Sequence, residues 1–438
     1  MWKAIVALLV LASVLVNVET HAQLASAMPK LAVKVVAAPN PKLNPIRLGM
    51  IEGLSGPFAN AGEAVLRNLQ WAVENINARG GVHLPDGQHA LLLSTFDNKQ
   101  GVEDSLTAFK HLTDQQIPFV LQGNSSAVAL ALVDAINKHN ERTPDNRVLL
   151  LNYSAVDSSL TNEKCSYWHF RFDANAAMRM HVLTDVIRDD KSIKKLYLIG
   201  QDYSFGRQVG KAARAMLSQK RPDIQIVGED LHPIGKIKDF APYAAKIKAS
   251  GADAVVTGNW GNDLTLLIKA SKDAGMNMKF YTFYANSLGA PAAIGDAGVG
   301  QVRAVAEWHA NAGGKDSDVF YQQFRLRYPD PKNDFVLLRV QVMMEMLVAA
   351  IEKAGSTEAA AVARALEGAR YANSFYDASM RAADHQLIQP LYVFVMQKSA
   401  DAGLRFDTEG SGYGFKTERR FSSGLTALPS SCKMARPN

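Results

Sequence analysis

Residues 47–62 read Arg-Leu-Gly-Met-Ile-Glu-Gly-Leu-Ser-Gly-Pro-Phe-Ala-Asn-Ala-Gly, and this stretch decides the fold. The apolar run over residues 46–51 ends at glycines and a proline, which predicts a short buried strand and a tight turn. From Gly62 onward, apolar residues recur at helical spacing until Gly80 and Gly81 supply a helix C-terminus. The stretch therefore predicts a strand, a glycine-rich loop and a helix.

A loop of this kind lies beyond the carboxyl end of its strand, which is where open parallel sheets bind ligands. Backbone N–H groups and the Ser55 hydroxyl face outward from it, and Phe58 follows at its end. We therefore predict Ser55 and Phe58 as ligand-binding residues. The alternative is that the loop only connects the strand to the helix.

The rest of the chain repeats the alternation of strands and helices. A first series of predicted strands covers residues 90–96, 118–122 and 148–152, with helices between them. A second series, beginning with a helix at residues 176–188, has strands at 196–200, 224–228, 254–257, 280–283 and 302–306. This pattern is typical of doubly wound parallel sheets. The predicted fold class is α/β, with two Rossmann-like lobes.

Length and composition agree with that prediction and exclude other classes. A chain of 438 residues suggests two domains, and 47% hydrophobic with 21% charged residues excludes wholesale disorder. The formal charge is +6, but the lysines and arginines are scattered, so we predict no nucleic-acid partner.

The chemistry-bearing motifs of common enzymes are missing from the sequence. We find no Gly-x-Ser-x-Gly, no His-Glu-x-x-His and no phosphate-binding Gly-x-x-x-x-Gly-Lys, and the ten histidines lack metal-binding spacing. We predict no cofactor, no metal and no catalytic activity. An exported hydrolase stays a less favoured alternative, because catalytic triads are spatial rather than sequential.

The N-terminus predicts export. Residues 1–22 combine an early lysine, an apolar run too short to span a membrane and small residues at the end, as in a cleaved signal peptide. Cleavage after Ala27 is the alternative. Residues 23–44 have no clear period and several prolines, so we predict a flexible segment there.

Cys165 and Cys432 are the two cysteines of the chain. Free thiols rarely persist in an oxidising compartment, so an exported chain favours a disulfide bond between them. Two unrelated thiols are the alternative.

The opening stretch also resembles a known family. A strand followed by Leu-Ser-Gly-Pro, a helix ending in Asn-Ala-Arg-Gly-Gly and an extended stretch ending in Asp97 are similar to the start of the branched-chain amino acid (Leu/Ile/Val) binding proteins. The resemblance extends from about residue 45 to about residue 400. It implies a type I periplasmic solute-binding protein, a Venus-flytrap whose chain crosses between its lobes three times. It further implies a periplasmic monomer that delivers a small molecule to an inner-membrane ABC permease.

The resemblance also implies the lobe boundaries. We place the crossings near residues 171–177, 304–311 and 380–390. The predicted ranges are 45–175 and 308–385 for the first lobe, 176–307 and 386–404 for the second, and 405–438 for a C-terminal tail.

Two polar loops of the first lobe are predicted to bind ligand. The strand at 118–122 is followed by Asn124, Ser125 and Ser126 at the start of a helix, where hydroxyls and free N–H groups can bind a carboxylate. Helix capping by a serine is the alternative and can coexist with binding. In the resembled family, the matching serine holds the ligand carboxylate, which implies that role for Ser126 and Ser125.

The second polar loop follows the next strand. It contains Asn152, Tyr153, Ser154 and Ala155, and the resemblance implies that the last two line the site through their backbone. A ligand-binding threonine of the family falls on Val156, whose side chain cannot donate a hydrogen bond.

Aromatic residues follow the strands of the second lobe. The resemblance places Phe205, with Tyr203 nearby, and Trp260 over the ligand, and it extends the site to Tyr284 and Asn286. A Trp in a Gly-flanked loop is unusual for a core residue.

One departure from the family bears on the ligand. Ala285 stands nearest the position where amino-acid-binding relatives have a glutamate that pairs with the ligand ammonium. A buried ammonium without a partner is costly, so an aromatic or apolar carboxylate or a neutral amide becomes plausible beside an amino acid. Glu307 or Asp202 could supply the missing partner. The predicted function is capture of a small solute for import, with a ligand sensor for a membrane receptor as the alternative.

Overall fold

The computed structural model describes residues 43–437, and it contains two α/β lobes, each built on a mostly parallel sheet. The α/β fold class predicted from the sequence is therefore confirmed. The predicted signal peptide and the predicted flexible segment up to residue 42 lie outside the described residues.

Seventeen strands and twelve α-helices make up this part of the chain. The strands are β1 (Ile46–Glu52), β2 (Val82–Leu84), β3 (Gly87–His89), β4 (Leu91–Asp97), β5 (Phe119–Gln122), β6 (Leu149–Asn152), β7 (His169–Arg171), β8 (Lys195–Gln201), β9 (Gln225–His232), β10 (Ala254–Thr257), β11 (Lys279–Thr282), β12 (Val302–Ala306), β13 (Arg370–Ala372), β14 (Asp377–Arg381), β15 (Gln386–Ile388), β16 (Leu391–Lys398) and β17 (Tyr413–Phe421). The helices are α1 (Ala59–Ala78), α2 (Val102–Asp114), α3 (Ser126–Arg142), α4 (Ala176–Asp189), α5 (Ser204–Lys220), α6 (Ala241–Ser250), α7 (Asn262–Asp273), α8 (Ala290–Ile294), α9 (Lys315–Arg327), α10 (Leu338–Ala354), α11 (Ala359–Leu366) and α12 (Ser423–Thr426).

The strands form two large sheets and a small hairpin. The first sheet has the order β13-β14-β15-β7-β6-β5-β1-β4, and the second has the order β17-β16-β12-β11-β10-β8-β9. Strands β4, β1, β5, β6, β7 and β15 are parallel, as are β9, β8, β10, β11 and β12. Antiparallel strands complete one edge of each sheet. Because parallel strands end at the same edge, the loops after β1, β5 and β6 lie together.

The opening strand, loop and helix form as predicted. Leu48, Met50 and Ile51 of β1 are fully buried, as expected for a central strand covered on both faces. A β-carbon at Gly62, near the start of α1, would lie 2.0 Å from the carbonyl oxygen of Gly53. Gly206 of α5 approaches the carbonyl oxygen of Gln201 in the same way in the second lobe, at 1.9 Å for its β-carbon position. In both lobes, glycine thus lets the helix begin directly against the loop that precedes it.

The chain passes between the sheets three times, after β7, after β12 and between β15 and β16, which confirms the predicted three-crossing hinge. Residues of α9, α10 and α11 are buried in the core of the first lobe. The exact lobe boundaries stay predictions.

The predicted C-terminal tail is wrong over part of its length. Residues 413–421 form β17, which pairs antiparallel with β16 and completes the second sheet. This strand lies at the sheet edge and exposes Lys416, Glu418 and Arg420 to varying degrees, while Phe415 and Phe421 are buried. The charged residues on its outer face explain why the sequence did not resemble a core strand.

Cys165 and Cys432 form a disulfide bond, as predicted. The bond ties the C-terminal segment to the first lobe over a sequence separation of 267 residues. Within residues 43–437, no helix has both the length and the apolar character needed to cross a membrane.

Candidate functional site

A cavity of about 170 Å³ lies between the two lobes, and both contribute to its lining. The first lobe contributes the loops that follow β1, β5 and β6 together with residues 335–339. The second lobe contributes the start of α4 and of α5, the loop after β10 and the segment 283–293. The cavity therefore lies beyond the carboxyl ends of the parallel strands in each sheet, the usual place for a ligand in such folds.

The serines after β5 have different roles. Ser125 caps α3, because its Oγ accepts a hydrogen bond from Val128 N at 3.3 Å. Ser126 lines the cavity, and its Oγ accepts a hydrogen bond from Asp157 N at 3.2 Å. A hydroxyl that accepts one bond can still donate its own proton, so Ser126 can donate to a ligand oxygen.

Glu52 fixes the loop after β5 by hydrogen bonds with its backbone, a role that was not predicted from the sequence. Its carboxylate is fully buried and accepts hydrogen bonds from Gly53 N at 3.1 Å, Asn124 N at 3.0 Å and Gly123 N at 3.3 Å. The Tyr153 hydroxyl donates to the same carboxylate. Burial raises the pKa of Glu52, and these hydrogen bonds oppose that rise. The backbone N–H groups of Gly123 and Asn124, in the loop predicted to bind a ligand carboxylate, are thus bonded to Glu52 instead.

Asn152 has a similar effect on the loop after β6. Its Oδ1 accepts hydrogen bonds from Ser154 N at 3.1 Å and from Ala155 N at 2.7 Å. The backbone N–H groups of these two residues are therefore already bonded within the loop, which differs from the expectation that they would face a ligand. Ser154 and Ala155 both line the cavity.

Two arginines line the cavity, and both are almost completely buried. Arg339 of α10 donates from Nη1 to both carboxylate oxygens of Glu307, at 3.0 and 3.2 Å, and from Nη2 to Ser154 Oγ at 2.8 Å. Arg179 of α4 donates from Nη2 to Asp173 Oδ1 at 2.5 Å. Two guanidinium groups and two carboxylates thus form a buried, charge-balanced group of side chains at the hinge.

The carboxylates keep the guanidinium groups charged. Burial works to lower the pKa of Arg339, but Asp173 and Glu307 outweigh it, so the pKa lies above its ordinary value. Asp173 has the same effect on the pKa of Arg179 against burial. A ligand in the cavity therefore meets guanidinium donors that stay ionised at any physiological pH, within a group of side chains whose charges balance.

Aromatic side chains cover the cavity from the second lobe. Trp260 donates from Nε1 to the Tyr203 hydroxyl at 3.0 Å. The ring of Tyr284 lies 5.3 Å from the Arg179 guanidinium carbon, a cation–π distance. Phe205 and Phe283 lie behind them, with ring centroids 5.8 Å apart. This wall suits a flat or apolar ligand.

The lobes touch across the mouth of the cavity. The ring centroids of Phe58, from the first lobe, and Trp260, from the second, are 4.3 Å apart. Asn60 donates from Nδ2 to the backbone oxygen of Leu288 at 3.2 Å. The structure is therefore a closed form of the two-lobed molecule.

Most of the predicted site residues lie around this single cavity. Ten of the predicted residues line it: Phe58, Asn124, Ser126, Ser154, Ala155, Tyr203, Phe205, Trp260, Tyr284 and Asn286. Four others are not among the lining residues: Ser55 adjoins Leu54, whose N–H donates to Asp97, while Ser125 caps α3, Asn152 bonds its own loop and Tyr153 bonds Glu52. Which of them contact a ligand stays a prediction.

Arg179 and Arg339 were not among the site residues predicted from the sequence. Both lie on helices that follow a crossing, away from the loops after the strands. A signal was available for Arg339, because it stands alone in the apolar run Val336, Leu337, Leu338 and Val340, and a buried arginine requires a partner.

No position considered for binding a ligand ammonium places a carboxylate in the cavity. Ala285 lies in the core of the second lobe, and Val156 lines the cavity with an apolar side chain. Glu307 is paired with Arg339, and Asp202 pairs with Arg207 at 2.7 Å. Among the described residues that line the cavity, none is an Asp or a Glu.

Comparison with known proteins gives consistent results. A family model described as periplasmic binding protein matches residues 45–402. The chain is 32% identical over 419 residues to Leu/Ile/Val-binding protein homolog 4 of Brucella melitensis, covering 93% of this chain and 96% of that protein. A homolog of the same name in Brucella abortus has the same identity and coverage.

Solved structures agree in the arrangement of the chain. The Leu-, Ile-, Val-, Thr- and Ala-binding protein of Brucella ovis, in a closed conformation, superposes with a TM-score of 0.79 at 30% identity, covering 90% of this chain and all of that one. A solute-binding protein of an ABC transporter from R. palustris, in complex with 4-hydroxybenzoate, has a TM-score of 0.73 at 18% identity, with 87% and 97% covered. The second likeness bears on the fold alone.

Proposed function

Since this chain belongs to the periplasmic binding protein family, we propose that it captures a small organic solute between its lobes and delivers it to an ABC importer of the inner membrane. The observation that carries the proposal is the cavity between the carboxyl ends of the two sheets, whose mouth is closed by contacts between Phe58 and Trp260. The family and the predicted export support a periplasmic location.

The proposed mechanism is closure around the ligand. The first lobe offers Ser126 and Ser154 to the polar end of the solute, and the aromatic wall of the second lobe completes the site only when the lobes approach. A solute that contacts both lobes binds the closed form better and shifts the equilibrium toward it. The permease then receives the closed, loaded protein.

The lining favours one class of ligand over the others considered. An amino acid, an aromatic carboxylate and a small amide all fit a site with polar and aromatic walls. The guanidinium groups of Arg179 and Arg339 line the cavity, whereas the carboxylates that pair with them, Asp173 and Glu307, do not. The lining therefore offers N–H donors to a ligand carboxylate and, among the described residues, no carboxylate to a ligand ammonium, which favours the carboxylate. We therefore propose an aromatic or apolar carboxylate as the preferred solute.

The relatives supply the competing ligand class. The Brucella proteins carry names that assign them to leucine, isoleucine and valine, and an R. palustris neighbour was solved with 4-hydroxybenzoate. A branched-chain amino acid is accordingly the main alternative ligand. We further propose that the protein is a monomer and has no catalytic activity. The alternative function is a ligand sensor for a membrane receptor.

The test is a binding screen on the mature protein, unfolded and refolded without reductant to remove any co-purified solute. Thermal shift and isothermal titration calorimetry would compare leucine, isoleucine and valine with benzoate, 4-hydroxybenzoate and benzamide, because binding to the native state raises the melting temperature. Stabilisation by the carboxylates supports the proposed class. Stabilisation by the amino acids alone would retain the transport role and reject the carboxylate preference.

Two further measurements test the function itself. NMR of each bound compound after prolonged incubation would reveal chemical turnover, which would reject a pure binding role. Arg339→Lys should weaken carboxylate binding, because lysine keeps the charge but loses the planar fork of donors. Arg207→Lys is a matched control, since Arg207 is exposed and pairs with Asp202 outside the cavity.

A further inference from the structure

A second, smaller cavity of about 40 Å³ lies at the hinge and shares two lining residues, Asn286 and Phe335, with the main one. Most of its wall comes from three parts of the molecule. The second crossing contributes residues 308–311, the first lobe contributes residues 334–336, and Thr408 and Phe415 come from the segment that completes the second sheet. The cavity thus lies where the two lobes meet.

Asp334 lines this cavity and has a buried carboxylate of which one oxygen lacks a donor among the described residues. Its Oδ2 is well satisfied, because it accepts hydrogen bonds from Tyr321 OH at 2.8 Å, Arg325 Nη2 at 2.6 Å and Glu409 N at 3.0 Å. Its Oδ1 is buried, and no donor of the described residues lies within hydrogen-bonding distance of it. Asp334 as a whole is 4% exposed, so bulk solvent does not satisfy this oxygen.

His309 also lines this cavity and has a second buried atom without a partner among the described residues. Its Nε2 is hydrogen-bonded to Thr417 Oγ1 at 2.8 Å, whereas its Nδ1 is buried and has no partner in residues 43–437. The residue is 5% exposed, and burial lowers the pKa of the imidazole to about 3. His309 is therefore neutral and can either accept or donate through Nδ1.

A buried carboxylate oxygen without a donor destabilises the folded state, so native structures almost always satisfy such atoms. A volume of about 40 Å³ admits a group the size of a water molecule. Asp334 Oδ1 therefore needs a hydrogen-bond donor, and His309 Nδ1 needs a hydrogen-bond partner.

We propose that this small cavity is a binding site for one hydrogen-bond donor, held between Asp334 Oδ1 and His309 Nδ1. The donor is an ordered water molecule or the distal hydroxyl or amino group of a solute in the main cavity. The second source rests on the proposed function, and the first does not. Because the site lies between the lobes, the donor supplies the missing hydrogen bonds of Asp334 Oδ1 and His309 Nδ1 when the molecule is closed.

An isosteric pair of variants at Ala310 tests the site. Ala310 lines the cavity and makes no side-chain hydrogen bond that a substitution would remove. Ala310→Val and Ala310→Thr add the same volume, so any overpacking is common to both, but only threonine adds a donor. We expect the threonine variant to melt at least about 2 °C higher than the valine variant. A valine variant as stable as the threonine variant, or more stable, would overturn the proposal.

A crystal structure of the refolded wild-type protein supplies an independent measurement. Electron density within hydrogen-bonding distance of both Asp334 Oδ1 and His309 Nδ1 is expected in this structure or in one with bound 4-hydroxybenzoate, and its absence from both at high resolution would overturn the site.

Calorimetry with benzoate and 4-hydroxybenzoate identifies the source of the donor. If the solute supplies it, 4-hydroxybenzoate binds more tightly than benzoate to the wild-type protein, and Ala310→Val abolishes the difference. If water supplies it, Ala310→Val leaves the ratio of the two affinities unchanged. If the protein binds neither compound but Ala310→Thr still melts higher than Ala310→Val, the carboxylate proposal is rejected and the donor site is retained.

Discussion

Phe58 of the first lobe and Trp260 of the second lie with their ring centroids 4.3 Å apart and their planes inclined by 36°. The indole is held in turn by its hydrogen bond to Tyr203. This aromatic pair joins the two lobes over the mouth of the cavity, so it forms only when they are together. Its stabilisation therefore belongs to the closed form and contributes to ligand affinity rather than to the stability of either lobe.

Phe58→Ala should weaken binding of the solute identified by the screen about two- to tenfold, because an aromatic pair contributes about 0.5 to 1.5 kcal/mol beyond its buried area. Isothermal titration calorimetry measures the change. Phe375→Ala is the control, since Phe375 is a half-buried aromatic residue of the first lobe outside the cavity lining. Equal losses in the two variants would mean that the pair has no specific role in closure.

Arg339→Met should lower the free energy of unfolding by about 3 to 5 kcal/mol, because it leaves Glu307 buried without its partner. Urea denaturation followed by circular dichroism measures this loss. The double variant Arg339→Met with Glu307→Gln should recover part of it, since it removes the unpaired carboxylate as well. If the double variant is no more stable than the single one, the unpaired Glu307 carboxylate is not the main cause of the lost stability.

The sequence predicted those parts of the fold in which local pattern and tertiary position agree. The strand at 46–52, its glycine-rich loop and α1 form as expected, because an apolar run, turn-forming glycines and helical spacing all indicate the same structure. Helix α6 was missed because only Ala244 and Ile247 of it are buried, which leaves no clear apolar stripe. Strand β17 was missed because one of its faces is charged and exposed.

The candidate site was predictable where it follows from the position of a loop after a strand. Ser126, Tyr203 and Trp260 follow strands and match loops of the resembled family, and all three line the cavity. Glu52 and Arg339 were not found, because their roles depend on which elements meet in space. Glu52 bonds a loop that is 71 residues away in sequence, and Arg339 bonds Ser154 across 185 residues.

Replacing both Cys165 and Cys432 by serine should lower the free energy of unfolding by up to about 5 kcal/mol, because the bond closes a loop of more than 250 residues in the unfolded chain. Guanidinium denaturation of the double variant measures the loss. Neither residue lines the cavity, so solute affinity should stay unchanged under conditions where the variant is folded. An affinity loss would indicate that the C-terminal segment also supports the site.

Glu409 should make stability depend on pH. Burial raises its pKa to about 7, and the nearby Asp334 carboxylate adds to the rise. Because the folded-state pKa lies above the unfolded value of about 4.5, the stabilising effect is present below pH 4.5 and is lost as the pH rises through 7. Relative to Glu409→Gln, the wild-type protein should lose up to about 3 kcal/mol between pH 4.5 and pH 8. Urea denaturation of both proteins across this range measures the difference, and parallel curves would contradict it.

Glu52→Gln should weaken solute binding and lower the free energy of unfolding by about 1 to 3 kcal/mol, because the amide has one acceptor oxygen instead of two. Its NH2 group must then face either Gly53 N on one side or Gly123 N and Asn124 N on the other, and those N–H groups lose their acceptor. The loop after β5 would then hold Asn124 and Ser126 less firmly against the cavity. Tyr153→Phe is the control, since it removes one donor to Glu52 but leaves the carboxylate and its backbone bonds in place. Calorimetry should find a clearly larger loss of affinity for Glu52→Gln than for Tyr153→Phe. If the two variants lose affinity equally, the loop is positioned by contacts other than those with Glu52.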